Sequence, residues 1–249
     1  MKQTIIGYWG GYFDSNITLN KTPNYFNYII LAFAGPTKEN TLTTEFLCSV
    51  YKPEKIIQWI KELQSKGQKV LVSIIDSPST HWDQVDIPKF AQSAKEILID
   101  QWGVDGFDID AESGMQNNYV SNFMLLATEL KKVLGNKILT YTCYTGTDGP
   151  DGEILTHVKE HISWINLMAY FISTSEYIDL YQNYNKIIPN VTIGVKAGSE
   201  FTLLPEVVDL CKWNPNKYGM MLWTINRDTY SFTNQPNFTW SYTIYKNIK

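Results

Sequence analysis

The sequence predicts a single closed (β/α)8 barrel, a TIM barrel of the α/β class. Three observations carry that expectation. The chain has 249 residues, close to the roughly 250 typical of such a barrel. Short apolar runs rich in Ile, Val, Leu and Tyr alternate with longer stretches of helical period, as successive βα units do. No GxGxxG or GxxxxGK(S/T) pattern follows any apolar run, which removes the usual nucleotide-binding reason for the rival architecture, an open doubly wound sheet.

The runs expected as strands are Thr4 to Trp9, Tyr28 to Phe33, Lys69 to Ile74, Gly106 to Asp110, Ile138 to Tyr144, Trp164 to Tyr170, Thr192 to Lys196 and Gly219 to Thr224. Pro53 to Lys66 reads as a helix because Pro opens it, Ile56, Ile57, Ile60 and Leu63 share one face, and Gly67 follows its end. Pro88 to Gln101 and Asn118 to Leu134 flank the fourth run in the same way. The second of these closes on Lys131, Lys132 and Gly135, where the carbonyl end of the helix dipole favours cations. Gly152 to Glu160, Glu176 to Asn185, Pro205 to Cys211 and Thr239 to Asn247 complete the helices. No Ser/Pro linker, charge block or repeat interrupts the series, so residues 1–249 are expected to form one domain.

Composition narrows the function classes. A chain with 44% hydrophobic and only 18% charged residues can bury a sizeable core, which sets disorder aside. A net charge of -4 would repel the phosphates of nucleic acid, so no nucleic-acid partner is expected. Nothing approaches the ~18 consecutive apolar residues of a membrane span. Cys48, Cys143 and Cys211 have neither CxxC spacing nor an adjacent His pair, so no disulfide framework, zinc site, other metal or cofactor is expected. The opening MKQTIIGYWGGYF is too short in apolar residues and too broken by glycine for a signal peptide; a cytoplasmic monomer is expected, or a secreted one if a leader was removed or a non-classical route is used. The 8 Trp and 16 Tyr offer flat rings with polar edges, suited to sugar faces as well as to a core.

Residues 105–112, DGFDIDAE, carry the chemistry. Side chains alternate along a strand, so Asp108, Asp110 and Glu112 project to one face while Phe107, Ile109 and Ala111 take the other. Crowding three like charges at a barrel mouth is costly unless protons are shared or hydrogen bonds compensate, and such perturbed groups cluster at functional sites. Asp105 precedes the permissive Gly106 and is expected to cap or brace the loop. The competing reading is a hard-cation site, since a D-x-D-x-E run also supplies oxygen ligands.

DGFDIDAE resembles the D-G-x-D-x-D-x-E motif on the fourth barrel strand of glycoside hydrolase family 18, the chitinases and endo-β-N-acetylglucosaminidases, at every fixed position. IIGYWGGY, ILAFA, INLMAY and GMMLWTIN resemble the family's first, second, sixth and eighth strands. The resemblance implies Glu112 as proton donor, Asp110 as the neighbour that orients the sugar's acetamido group, and Asp108 as an inner acid sharing a proton with Asp110. It implies that Tyr170, from M-x-Y-D, holds the acetamido carbonyl, with Met168 facing the same way, and that Trp223 forms the floor under the sugar. Tyr8 and Tyr144 are candidates to line the mouth, with packing in the core as the equal alternative. The implied reaction is retaining, substrate-assisted cleavage of β-1,4-linked N-acetylglucosamine polymers such as chitin.

The match has departures. Phe171 stands where the family has the Asp of M-x-Y-D, and Ser73, Ile74, Ile75 and Asp76 replace S-x-G-G. Asp76, His81, Asn226, Arg227 and Asp228 follow strands at the mouth without an assigned role. The few residues between the seventh strand and its helix leave no room for the α+β insertion of some relatives, so an open groove and cutting within chains are expected. Two rivals remain at this level: an endo-β-N-acetylglucosaminidase acting on N-glycans, and a catalytically silent chitin-binding lectin or inhibitor on the same barrel.

Overall fold

In the computed structural model, which describes residues 3–13, 16–77, 80–112, 118–143, 145–168, 170–198 and 200–248, eight parallel strands close into a ring. They are β1 (Thr4–Gly10), β2 (Tyr28–Pro36), β4 (Lys69–Ile74), β5 (Gly106–Asp110), β6 (Ile138–Cys143), β7 (Trp164–Leu167), β8 (Val191–Lys196) and β9 (Gly219–Trp223). A two-residue strand, β3 (Leu42–Thr43), folds back antiparallel on β2. The order is β1-β9-β8-β7-β6-β5-β4-β2, and β1 also pairs with β2, so the ring has no free edge. Helices α1 (Pro53–Ser65), α2 (Ile87–Ala94), α3 (Tyr119–Leu134), α4 (Pro150–Val158), α5 (Thr174–Ile187), α6 (Leu204–Trp213), the one-turn α7 (Tyr230–Thr233) and α8 (Thr239–Asn247) lie outside it. This is a single (β/α)8 barrel, and the seven residues between β8 and α6 hold no insertion domain.

Strand alternation divides the apolar residues between two cores. Ile5 and Trp9 of β1 face the helices, whereas Ile6 and Tyr8 join Ile30, Leu71, Trp164, Met168 and Met221 inside the ring. On β5 the outer stripe is Phe107 and Ile109, both fully buried in the strand–helix layer. Gly106 opens that strand because a Cβ there would collide with the carbonyl oxygen of Ile138 on β6. Asp105 braces the strand starts: it accepts from Lys69 Nζ at 2.9 Å, Val70 N at 3.0 Å and Gln64 Nε2 at 2.9 Å. Burial alone would raise its pKa; those donors together lower it.

Two local departures bear on the site. The expected helix from Pro88 to Gln101 is α-helical only to Ala94 and continues as a π-helix over Lys95–Gln101, with Trp102 N donating to Ile97 O. The wider turns keep both Leu98 and Trp102 in the core. β2 runs three residues past its expected end and returns through the β3 hairpin, adding a wall to the C-terminal face of the barrel. Among the described residues no helix is long and apolar enough to cross a membrane.

Candidate active site

Asp108 and Asp110 point into the ring from β5, as the alternation requires, and their surroundings differ sharply. Asp108 is fully buried and accepts four hydroxyl donors. Oδ2 takes Tyr8 OH at 2.8 Å and Ser73 Oγ at 2.7 Å; Oδ1 takes Thr140 Oγ1 at 2.6 Å and Thr142 Oγ1 at 2.9 Å. The donors come from β1, β4 and β6, and Thr140 and Thr142 share the inner face because they are two residues apart. Burial raises the Asp108 pKa, and the four hydroxyls pull it back. Asn166 on β7 extends the network, donating to Thr142 Oγ1 at 3.2 Å and accepting from Thr192 Oγ1 at 2.8 Å.

Asp110 is almost as buried, yet among the described residues its Oδ1 has no hydrogen-bond partner. Burial, then the charges of Glu112 and Asp108, hold its carboxyl well above the usual carboxylate range. No hydrogen bond joins it to Asp108 among the described residues, so the proton expected between those two is not shared directly: the oxygens of Asp108 are already turned to hydroxyls.

Glu112 lies two residues beyond the strand, reachable by solvent at the mouth. Surrounding protein still desolvates its carboxyl enough to raise the pKa, while the ammonium of Lys196 at the end of β8 acts the other way. Asp110 and Glu112 therefore titrate as a pair that retains a proton where a free carboxyl would be ionised.

The remaining expected positions divide. Tyr170 is half-buried beside these acids; among the described residues its hydroxyl has one weak contact, to Met221 Sδ at 3.8 Å. Burial and then the neighbouring Tyr177 and the carboxyls raise its pKa well above the tyrosine norm, so the phenol stays a donor. Trp223 is half-buried at the end of β9, stacked on Phe33 at a 5.7 Å centroid separation and 25°. Met168 is buried at the mouth end of the inner core. Tyr8 is a correction: it does not line the mouth but lies fully buried beneath Trp223, with its hydroxyl on Asp108, because it points inward from β1 and reaches past β2 and β4 through the ring's interior to β5. Tyr144 lies outside the described residues.

An aromatic ramp went unanticipated. From Trp223 it passes to Phe33, to Tyr12 (6.3 Å, 19°) and to Phe46 (4.3 Å, 24°), which is 55% exposed. The ramp borders a groove of about 570 Å³ reaching Gly35, Thr37 and Asp76, and a second groove of about 530 Å³ runs past Met168, Phe171 and Thr145. They flank β5 on opposite sides, one toward β4 and β2, the other toward β6 and β7. Tyr12, Phe33 and Phe46 carry no periodic signal, because three loops or strand ends bring them together.

Comparison with known proteins gives the following. Residues 4–197 match the model of Glycosyl hydrolases family 18. A GH18 chitinase from Pseudoalteromonas aurantia superposes with a TM-score of 0.79 at 20% identity, covering 99% of this chain and 100% of that one. An endo-β-N-acetylglucosaminidase from Cordyceps militaris gives 0.75 at 18% identity, over 100% of this chain and 92% of its own. A class V chitinase from Nicotiana tobaccum, solved in complex with NAG4, gives 0.73 at 14% identity over 99% of both chains. At these identities the superpositions speak for the fold.

Proposed function

The chain belongs to glycosyl hydrolases family 18, a glycosidase of the chitinase or endo-β-N-acetylglucosaminidase type, and from that premise we propose that it cleaves β-1,4-linked N-acetylglucosamine polymers within the chain, with retention of configuration and with the substrate's own acetamido group as nucleophile. One observation carries this reading: a buried carboxyl oxygen, Asp110 Oδ1, that lacks a donor among the described residues, next to an accessible acid of raised pKa, Glu112. An acetamido N–H fills that vacancy.

The chemistry follows from the pair. An N–H donated to Asp110 favours its ionised form, so the proton held by the pair moves to Glu112, where the leaving oxygen needs it. The acetamido carbonyl oxygen, aligned by Tyr170 OH, bonds to the anomeric carbon as the bond to the leaving oxygen breaks and takes the Glu112 proton. The positive oxazolinium ion is stabilised by Asp110. Water, giving its proton to Glu112, then opens the ring. Trp223 supports the apolar face of the reacting sugar. Grooves on both sides of β5 suit a bound chain that continues past the cleaved linkage in both directions, hence internal cutting.

The test is release of fluorophore from an N,N'-diacetylchitobioside and of glycan from a high-mannose glycoprotein, with Glu112→Gln alongside. Activity on the first and on polymeric chitin, abolished in Glu112→Gln, supports the proposal; glycan release alone assigns the endo-β-N-acetylglucosaminidase specificity instead. An inverted anomer in the first product, seen by proton NMR, overturns the mechanism.

A further inference from the structure

Resting on the reading above, we infer that Lys196 and Arg227 form a carboxylate-binding site at the rim, so that the preferred substrate is an N-acetylglucosamine polymer bearing acidic substituents next to the cleaved linkage. The two cations share one aromatic ring. Lys196 Nζ stands 3.8 Å above the centroid of Phe201 and 5.2 Å from that of Phe171, and the Arg227 guanidinium lies 5.3 Å from Phe201 and 5.4 Å from Phe232.

Ring faces hold cations in place without neutralising them. Among the described residues neither cation takes part in a salt bridge, and Arg227 Nε is buried with no hydrogen-bond partner. A guanidinium presents a planar fork that matches a carboxylate, and a buried donor left unpaired costs free energy that a bound anion recovers. Burial and then the charge of Arg227 depress the Lys196 ammonium, against the pull of Glu112, and a bound carboxylate relieves both effects.

Their position ties them to substrate. Lys196 ends β8 within electrostatic reach of Glu112, and Arg227 follows β9 within reach of Tyr12 on the aromatic ramp. Phe171, which occupies the position of the family's Asp, replaces an anion with a ring that holds Lys196. The loss of that acid and the absence of a salt bridge to either cation among the described residues then have one explanation: a further anion arrives on the substrate.

A matched pair of polymers tests it. Carboxymethyl chitin carries a carboxylate ether where glycol chitin carries a neutral hydroxyethyl ether. We expect kcat/KM about tenfold higher on the carboxymethyl polymer at low ionic strength, with the advantage shrinking in 0.5 M NaCl, roughly as a charge-assisted contact should. Arg227→Gln and Lys196→Gln should each remove most of that ratio, and Arg227→Lys should restore part of it. A glycan strand alternating N-acetylglucosamine with its 3-O-lactyl ether distinguishes a natural carboxylate at O3 from one at O6. Equal rates on the two polymers, or a ratio unchanged in both Gln variants, overturns the inference. If neither polymer is cut, the enzymatic reading fails, and affinity electrophoresis of Glu112→Gln in the two polymers still decides whether carboxylates are preferred.

Discussion

Asp108 and Asp110 sit two residues apart on one face of one strand, equally hidden from solvent, and the protein treats them oppositely. The floor acid has every lone pair matched by a hydroxyl from a neighbouring or facing strand. The mouth acid has an oxygen without a hydrogen-bond partner among the described residues, and burial and then like charges raise its pKa. A buried carboxyl saturated with donors is a structural tie; a buried carboxyl kept short of one is poised for a donor that comes from outside. Sequence position alone does not separate the two, since both occupy fixed places in the same eight-residue motif.

That contrast can be broken at four points. Glu112→Gln should lower kcat roughly a thousandfold, the scale of general-acid catalysis, with chitin affinity retained; a comparable loss of affinity would mean the mouth is assembled by this residue rather than served by it. Asp110→Asn should lower kcat about a hundredfold through lost charge stabilisation of the oxazolinium ion, read in steady-state kinetics.

Thermal melting sharpens the comparison further. Asp108→Ala takes the shared acceptor from four hydroxyls, of which only Tyr8 and Thr142 can still pair with each other, and this should cost about 3 kcal/mol and lower Tm by roughly 6–12 °C. Asp110→Asn should do the reverse. The folded-state pKa of Asp110 lies above the unfolded value of 3.8, so between those values the folded protein binds more protons than the unfolded chain. Stability therefore falls as pH rises through that window. Removing the group should raise Tm at pH 7, with the gain closing as the pH approaches 4; a gain independent of pH would contradict the assignment. The smallest effect is expected at Phe46→Ala, where KM for polymeric chitin should rise about three- to tenfold while hydrolysis of the chitobioside is unchanged.

The barrel was legible because period-two and period-3.6 patterns report which faces are buried, and all eight barrel strands fall within three residues of their expected ends. The stripe of Asp108 and Asp110 was legible for the same reason. What escaped was everything set by closure of the ring. The role of Tyr8 depends on closure of the ring, which brings β1 within a tyrosine's reach of β5 across its interior, and the grouping of Tyr12, Phe33 and Phe46 depends on a hairpin marked by no apolar period. The π-helical stretch before β5 reads as ordinary helix in sequence, because its apolar residues serve either winding.

The hydroxyl cluster on Asp108 also provides a natural spectroscopic probe. Its shortest link, 2.6 Å from Thr140, has the length of a strong O–H···O⁻ bond, and it lies where water cannot enter. Hydroxyl protons sealed in this way should exchange slowly, and a proton spectrum in ordinary water showing their resolved signals would check this. Their chemical shifts would register every change of charge overhead, so the protonation of the working carboxyls could be followed during turnover without labelling or altering them.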